Sequence, residues 1–156
     1  MLTALWFLLF LQGSTLEQAR EMTAAEVKFS RIAENRAHLD RVRDFAKMLD
    51  RDQTQNSIEG AREKPGPDTT AIIPLNKHHE KKVDQLSRLS GEEFDRAYID
   101  AIIRNQKEAI QLLEGLTDQY DIPQAQAMLP DLHKHLQEAK AIKEYLRGPQ
   151  SYVRDR

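Results

Sequence analysis

The chain has 156 residues, 40% of them hydrophobic and 31% charged, a balance that suits one compact domain and argues against disorder throughout. Its 23 basic and 25 acidic residues leave a net charge of -2, so it offers no broad basic surface to nucleic acid. With no cysteine in the sequence, disulfides, thiolate catalysis and cysteine-type zinc sites are excluded, and an oxidising compartment is compatible.

The N-terminus differs from everything after it. Ala4 to Leu11 is an unbroken apolar run of eight residues, too short to cross ~30 Å of hydrocarbon as a helix. It has the length of the apolar region of a signal peptide, and Gly13 and Ser14 offer small residues near a cleavage point, although no Lys or Arg precedes the run and no Ala-x-Ala follows it. Residues 1–13 are therefore expected to be a signal-peptide-like or anchor segment, residues 15–147 a helical bundle and residues 148–156 a flexible tail. Export to the periplasm or cell envelope follows from this reading, and a cytoplasmic location follows if the segment is not a signal.

Helix signals then come in order. Ser14-x-x-Glu17 reads as a capping box, in which a hydroxyl and a carboxylate satisfy orphan backbone N–H groups. Leu16, Ala19, Met22, Glu26, Phe29, Ala33, Leu39, Val42, Ala46, Leu49 and Gln53 recur near the 3.6-residue period and predict one long helix over 15–60, with only Glu26 and Gln53 polar on its inner face. Gly60 and Lys64-Pro65-Gly66-Pro67-Asp68 predict its end and a loop. Pro74 and Asn76 supply a stop and a cap for a short helix over 76–88, whose inner stripe is Leu75, His79, Val83, Leu86 and Leu89 and whose other face is basic.

Ser90-Gly91-Glu92-Glu93 reads as a second capping box. It opens a helix over 91–120 with the stripe Phe94, Tyr98, Ala101, Ile102, Asn105, Ala109, Leu112, Leu113, Leu116 and Tyr120. The last helix, over 122–147, carries Ala125, Met128, Leu129, Leu132, His135, Leu136, Ala139, Ile142 and Leu146; Pro130 is expected to kink it or to begin its second half, and Gly148-Pro149 to end it. The fold class is all-α, with Phe29, Phe45 and Leu113 in the core.

Chemistry has to come from polar residues on these inner faces. Glu26 among Met22, Phe29 and Ala33, and His135 among Leu132, Leu136 and Ala139, are the candidate metal ligands. Each has a plainer alternative, a carboxylate meeting an arginine or water and a hydrogen-bonded core histidine. His78-His79-Glu80 does not converge on one ion, since adjacent helical residues point about 100° apart, and a solvated basic face is the expectation there. A Gly-rich phosphate loop, a GxSxG elbow and an HExxH pair are all missing from the sequence, so enzyme activity is not expected.

Three stretches carry a family resemblance: AEVKFSRIAEN followed by VRDFAKMLDRDQTQ between Ala25 and Gln55, LSGEEFDRAY at Leu89 to Tyr98, and LPDLHKHLQEA at Leu129 to Ala139. Together they resemble the DUF4142 family over roughly residues 15–146. The resemblance implies an exported bacterial protein with a ferritin-like four-helix bundle, one helix being short here, and no settled activity. Relatives often show Asp-His where this chain has Asp52-Gln53 and a histidine where it has Gln106, whereas the histidine of the LPxLxxHL motif is retained as His135.

Glutamine lacks the charge of a carboxylate and the donor strength of imidazole, so an ancestral metal site is expected to be weakened. Gln53, Gln106 and His135 are expected to line a small polar pocket bordered by Glu26. The functional expectation is a non-catalytic envelope protein with a partner-binding or stress-related role and no cofactor. The alternative is a bundle binding a divalent metal through Glu26 and His135. An unidentified protein is the expected partner, nucleic acid is not, and any membrane association runs through the N-terminal segment.

Overall fold

In the computed structural model the chain is described over residues 2–63, 73–119 and 123–148, with side chains over 15–55, 73–118 and 123–148. The order is α1 (Leu2–Arg36), α2 (Asp40–Glu63), α3 (Lys77–Arg88), α4 (Gly91–Gln119) and α5 (Pro123–Arg147). Among the described residues there is no strand.

The single helix expected over 15–60 is two helices with a corner at 37–39. The cause is a carboxylate from elsewhere in the chain. Asp95 of α4, fully buried, accepts hydrogen bonds from His38 N at 2.9 Å and Leu39 N at 3.0 Å, satisfying two N–H groups exposed where α2 starts. Arg43 closes the corner from the other side by donating to Ala37 O at 2.6 Å and pairing with Asp40. Burial pushes the Asp95 carboxyl up, and the two backbone N–H groups pull it back.

Two further boundaries differ from the sequence expectation. α1 runs unbroken through Ser14, so the Ser14-x-x-Glu17 pattern does not start a helix; the apolar run before it is itself helical, and no proline interrupts residues 12–15. α2 continues past Gly60 to Glu63, since one glycine costs only about 1 kcal/mol inside a helix. The loop expected at 64–68 and Tyr120 lie outside the described residues.

The other ends fall where the sequence put them. Asn76 caps α3 by accepting from His79 N at 2.9 Å. Gly91 starts α4 with φ 63°, a left-handed conformation that an L side chain adopts at a cost, and Phe94 N donates to Ser90 O at 3.3 Å. Pro123 opens α5, and Pro130 lies inside that helix on its exposed side without ending it.

α1 packs along α2 and along α4, and α4 along α5, with α2 meeting α5 over a smaller area; α3 lies against α1 and α4. Residue pairs run in opposite directions along neighbours, Arg31 with Asp50 and Glu26 with Gln53 for α1 and α2, so these helices are antiparallel. Lys143 with Asp100 and His133 with Glu114 show the same for α4 and α5. Those exposed ion pairs contribute little, about 0 to 1 kcal/mol each. The core does more. Phe29, Phe45 and Leu113 are buried as expected, and Phe94 stacks on Tyr98 with ring centroids 6.1 Å apart while Phe45 meets Tyr98 edge-on at 6.5 Å.

Two substitutions test these corners by chemical denaturation. Asp95→Ala should cost about 2 to 4 kcal/mol, because two buried N–H groups lose a charged acceptor. Gly91→Ala should cost about 1 to 2 kcal/mol from backbone conformation alone, since an added Cβ there meets no atom within 4 Å. An Asp95→Ala protein as stable as the parent would contradict the capping role.

Candidate functional site

The polar residues on the inner faces of different helices converge on Glu26. It is 1% exposed, in the C-terminal half of α1. Gln53 Nε2 of α2 donates to Oε2 at 2.6 Å, Gln106 Nε2 of α4 to the same oxygen at 2.7 Å, and Asn105 Nδ2 of α4 to Oε1 at 2.8 Å. Gln53, Asn105 and Gln106 are all buried. Burial pushes the Glu26 carboxyl up from 4.5 to about 7, the three amide donors opposing the shift.

The network continues outward from Asn105. Its Nδ2 also donates to Met22 O at 2.9 Å, so the amide nitrogen faces two acceptors and the amide orientation is fixed. Its Oδ1 therefore faces His79 Nε2 of α3, 3.0 Å away. His79 Nδ1 lies 2.9 and 3.1 Å from the two oxygens of Glu21 on α1. Both ring nitrogens of His79 thus face acceptors, and both bonds are complete only when each nitrogen carries a proton. Glu21 also accepts from Asn76 N and Asn76 Nδ2, both at 2.9 Å, which ties the start of α3 to α1.

Of the residues singled out in the sequence, Glu26, Gln53 and Gln106 meet directly, through one carboxylate oxygen. His135 does not join them by hydrogen bond. It is 2% exposed and its Nε2 sits 3.3 Å from Asp52 Oδ2, next in sequence to Gln53, while its Nδ1 is buried without a hydrogen-bond partner, as is Gln106 Oε1. The Asp52 carboxylate also lies 3.8 Å from Lys134 Nζ. Among the described residues no three His, Cys, Asp or Glu side chains are grouped to hold a metal ion.

The expectation of a solvated face at His78-His79-Glu80 holds for His78 and Glu80, which are exposed, and fails for His79, which is 7% exposed. Its place in the inner stripe of α3 was the better guide. Asn105, Glu21 and Asp95 had no functional role assigned from sequence. Asn105 alone carried a usable signal, an amide in an otherwise apolar stripe, which has to find a partner when buried.

A family model described as "Domain of unknown function (DUF4142)" matches residues 12–142. No curated protein and no solved structure matches the chain.

The elevated Glu26 carboxyl fixes the sign of a pH effect. The folded state holds this proton more tightly than the unfolded state, so the stabilising contribution is complete below pH 4.5, fades as pH rises towards 7 and is absent above it. The loss amounts to about 3 kcal/mol. Glu26→Gln removes the charge; its oxygen can face Asn105 while its NH2 faces Gln53 and Gln106 with their amides turned. Thermal melts from pH 4 to 8 should show a Glu26→Gln protein with a flatter pH profile and, at pH 8, a Tm roughly 5 °C higher. An unchanged profile in the variant would refute the assignment.

Proposed function

Because the chain belongs to the DUF4142 family, a family of unknown function matched over residues 12–142, we propose its role from its own residues: a non-catalytic, exported protein of the cell envelope that acts by binding a protein partner or supporting stress tolerance. The observation that carries this reading is the state of Glu26. The buried carboxyl best suited to chemistry already receives three amide donors, which use both its oxygens to join α1, α2 and α4. A carboxyl engaged in this way organises helices rather than attacking a substrate.

The proposal takes α1, α2, α4 and α5 as a ferritin-like four-helix core with α3 as the short extra helix. The ring of packed pairs α1–α2, α2–α5, α5–α4 and α4–α1 supports it. Export is supported by the apolar run at Ala4 to Leu11, and no helix among the described residues is long and apolar enough to cross a membrane. Cell fractionation with sequencing of the mature N-terminus should find a protein outside the cytoplasm that starts near Ser14. An intact Met1 in the cytosol contradicts export.

A second reading, a divalent-metal site using Glu26 and His135, is favoured by one observation: His135 Nδ1 and Gln106 Oε1 are buried with unused lone pairs. The two readings separate in calorimetry with Fe(II), Mn(II) and Zn(II). The non-catalytic reading expects no saturable stoichiometric binding. Stoichiometric binding that disappears in a Glu26→Ala, His135→Ala protein would replace it with the metal reading.

A further inference from the structure

Between α3 and α4 a surface cleft carries His78, Lys82, Arg104 and Glu108, and its lining continues to His79, Ala101, Asn105 and Phe29 of α1. Its charges are unbalanced. Lys82 Nζ donates to a neutral acceptor, Gln85 Oε1 at 2.7 Å, and among the described residues Arg104 pairs with no carboxylate. His79 turns both ring nitrogens away to Glu21 and Asn105, so it is already engaged within the protein. Glu108 is the single carboxylate in the lining, and it forms no ion pair with Arg104 one turn away.

Arg104 and Lys82 therefore share one cleft without an ion pair to either, Glu108 notwithstanding. Burial first, then the positive charges of Arg104 and Lys81, hold the Lys82 ammonium below its usual range. Cations that share a cleft repel one another unless an anion joins them. A guanidinium and an ammonium lining one cleft supply the donors that a phosphate can share, Arg through two parallel N–H groups.

We propose that the α3–α4 cleft binds a phosphate group through Arg104 and Lys82, with His78 adding a ring N–H and Glu108 limiting affinity by its negative charge. The group is either free inorganic phosphate or the phosphomonoester of a lipid headgroup, two sources of one chemistry. The cleft shares His79 and Asn105 with the Glu26 network, and the residues proposed to hold the phosphate, Arg104 and Lys82, lie outside that network.

The test uses the full chain at low ionic strength. One arm titrates inorganic phosphate and reads amide chemical shifts; the other measures co-sedimentation with phosphatidylcholine vesicles with and without phosphatidic acid. The N-terminal apolar run is common to every protein compared, so only differences between variants count. Arg104→Gln should weaken binding about tenfold or more in the arm that shows it, since one charge-assisted contact is lost. Glu108→Gln should tighten binding, and Lys107→Gln, on α4 but outside the lining, should leave it unchanged.

Saturable phosphate binding with this pattern supports the site and identifies the free ion as sufficient. The same pattern with vesicles alone supports it and identifies the lipid headgroup. No Arg104-dependent binding in either arm overturns the proposal, as does equal weakening by Lys107→Gln. Arg104 and Lys107 are exposed, and melting curves confirm that each variant is folded.

Discussion

A carboxyl group with no cation beside it among the described residues, buried at 1% exposure, is the constraint around which the helices are arranged. Taking Glu26 out of water costs several kcal/mol unless something replaces the lost hydration. In this protein the replacement is made of amide dipoles, Gln53 from α2 and Asn105 and Gln106 from α4, at 2.6 to 2.8 Å. Each amide has to be delivered by a particular helix in a particular register. The polar node therefore specifies how α1, α2 and α4 align, whereas the apolar contacts around it would tolerate a shift of one turn. Amides only partly offset burial, which is why the carboxyl remains near 7 rather than at its usual 4.5.

The node also explains why so short a helix as α3 is held. α3 has 12 residues, too few to be stable alone in water, and its buried contributions are His79 and Leu86. His79 connects to Glu26 through Asn105 and to Glu21 at the surface side, so the helix is bound to two others by hydrogen bonds as well as packing. Asp95 performs the corresponding task at the α1–α2 corner, where a carboxylate on α4 holds backbone N–H groups of residues 38 and 39. In both places a side chain distant in sequence decides a local structure.

That distance is the reason part of the fold was legible in the sequence and part was not. Periodicity placed α3, α4 and α5 within a residue or two, because their caps are local: Asn76, Gly91 and Pro123 act on the turn that contains them. The α1–α2 corner has no such marker, and no proline or glycine lies between Arg31 and Leu49. Its one trace is a step of phase: Ala33 to Leu39 is six residues, about 600°, which leaves Leu39 roughly 120° off the stripe that Leu16 to Ala33 define. The site divides the same way. Glu26 and Gln53 stand out as polar residues at core register and Gln106 through the family resemblance, and the three do meet; His79 lies in the inner stripe of α3 by register while its charged neighbours point to solvent, and the partner of each group is not legible from one helix at a time.

The most direct measurement is of the Glu26 carboxyl itself, by following its side-chain carbon resonance with pH in selectively labelled protein. The structure predicts a titration midpoint near 7, with the amide signals of Asn105 and Gln106 moving at the same midpoint. A midpoint near the ordinary 4.5 would show a solvated carboxyl and contradict the buried node on which this arrangement of helices depends.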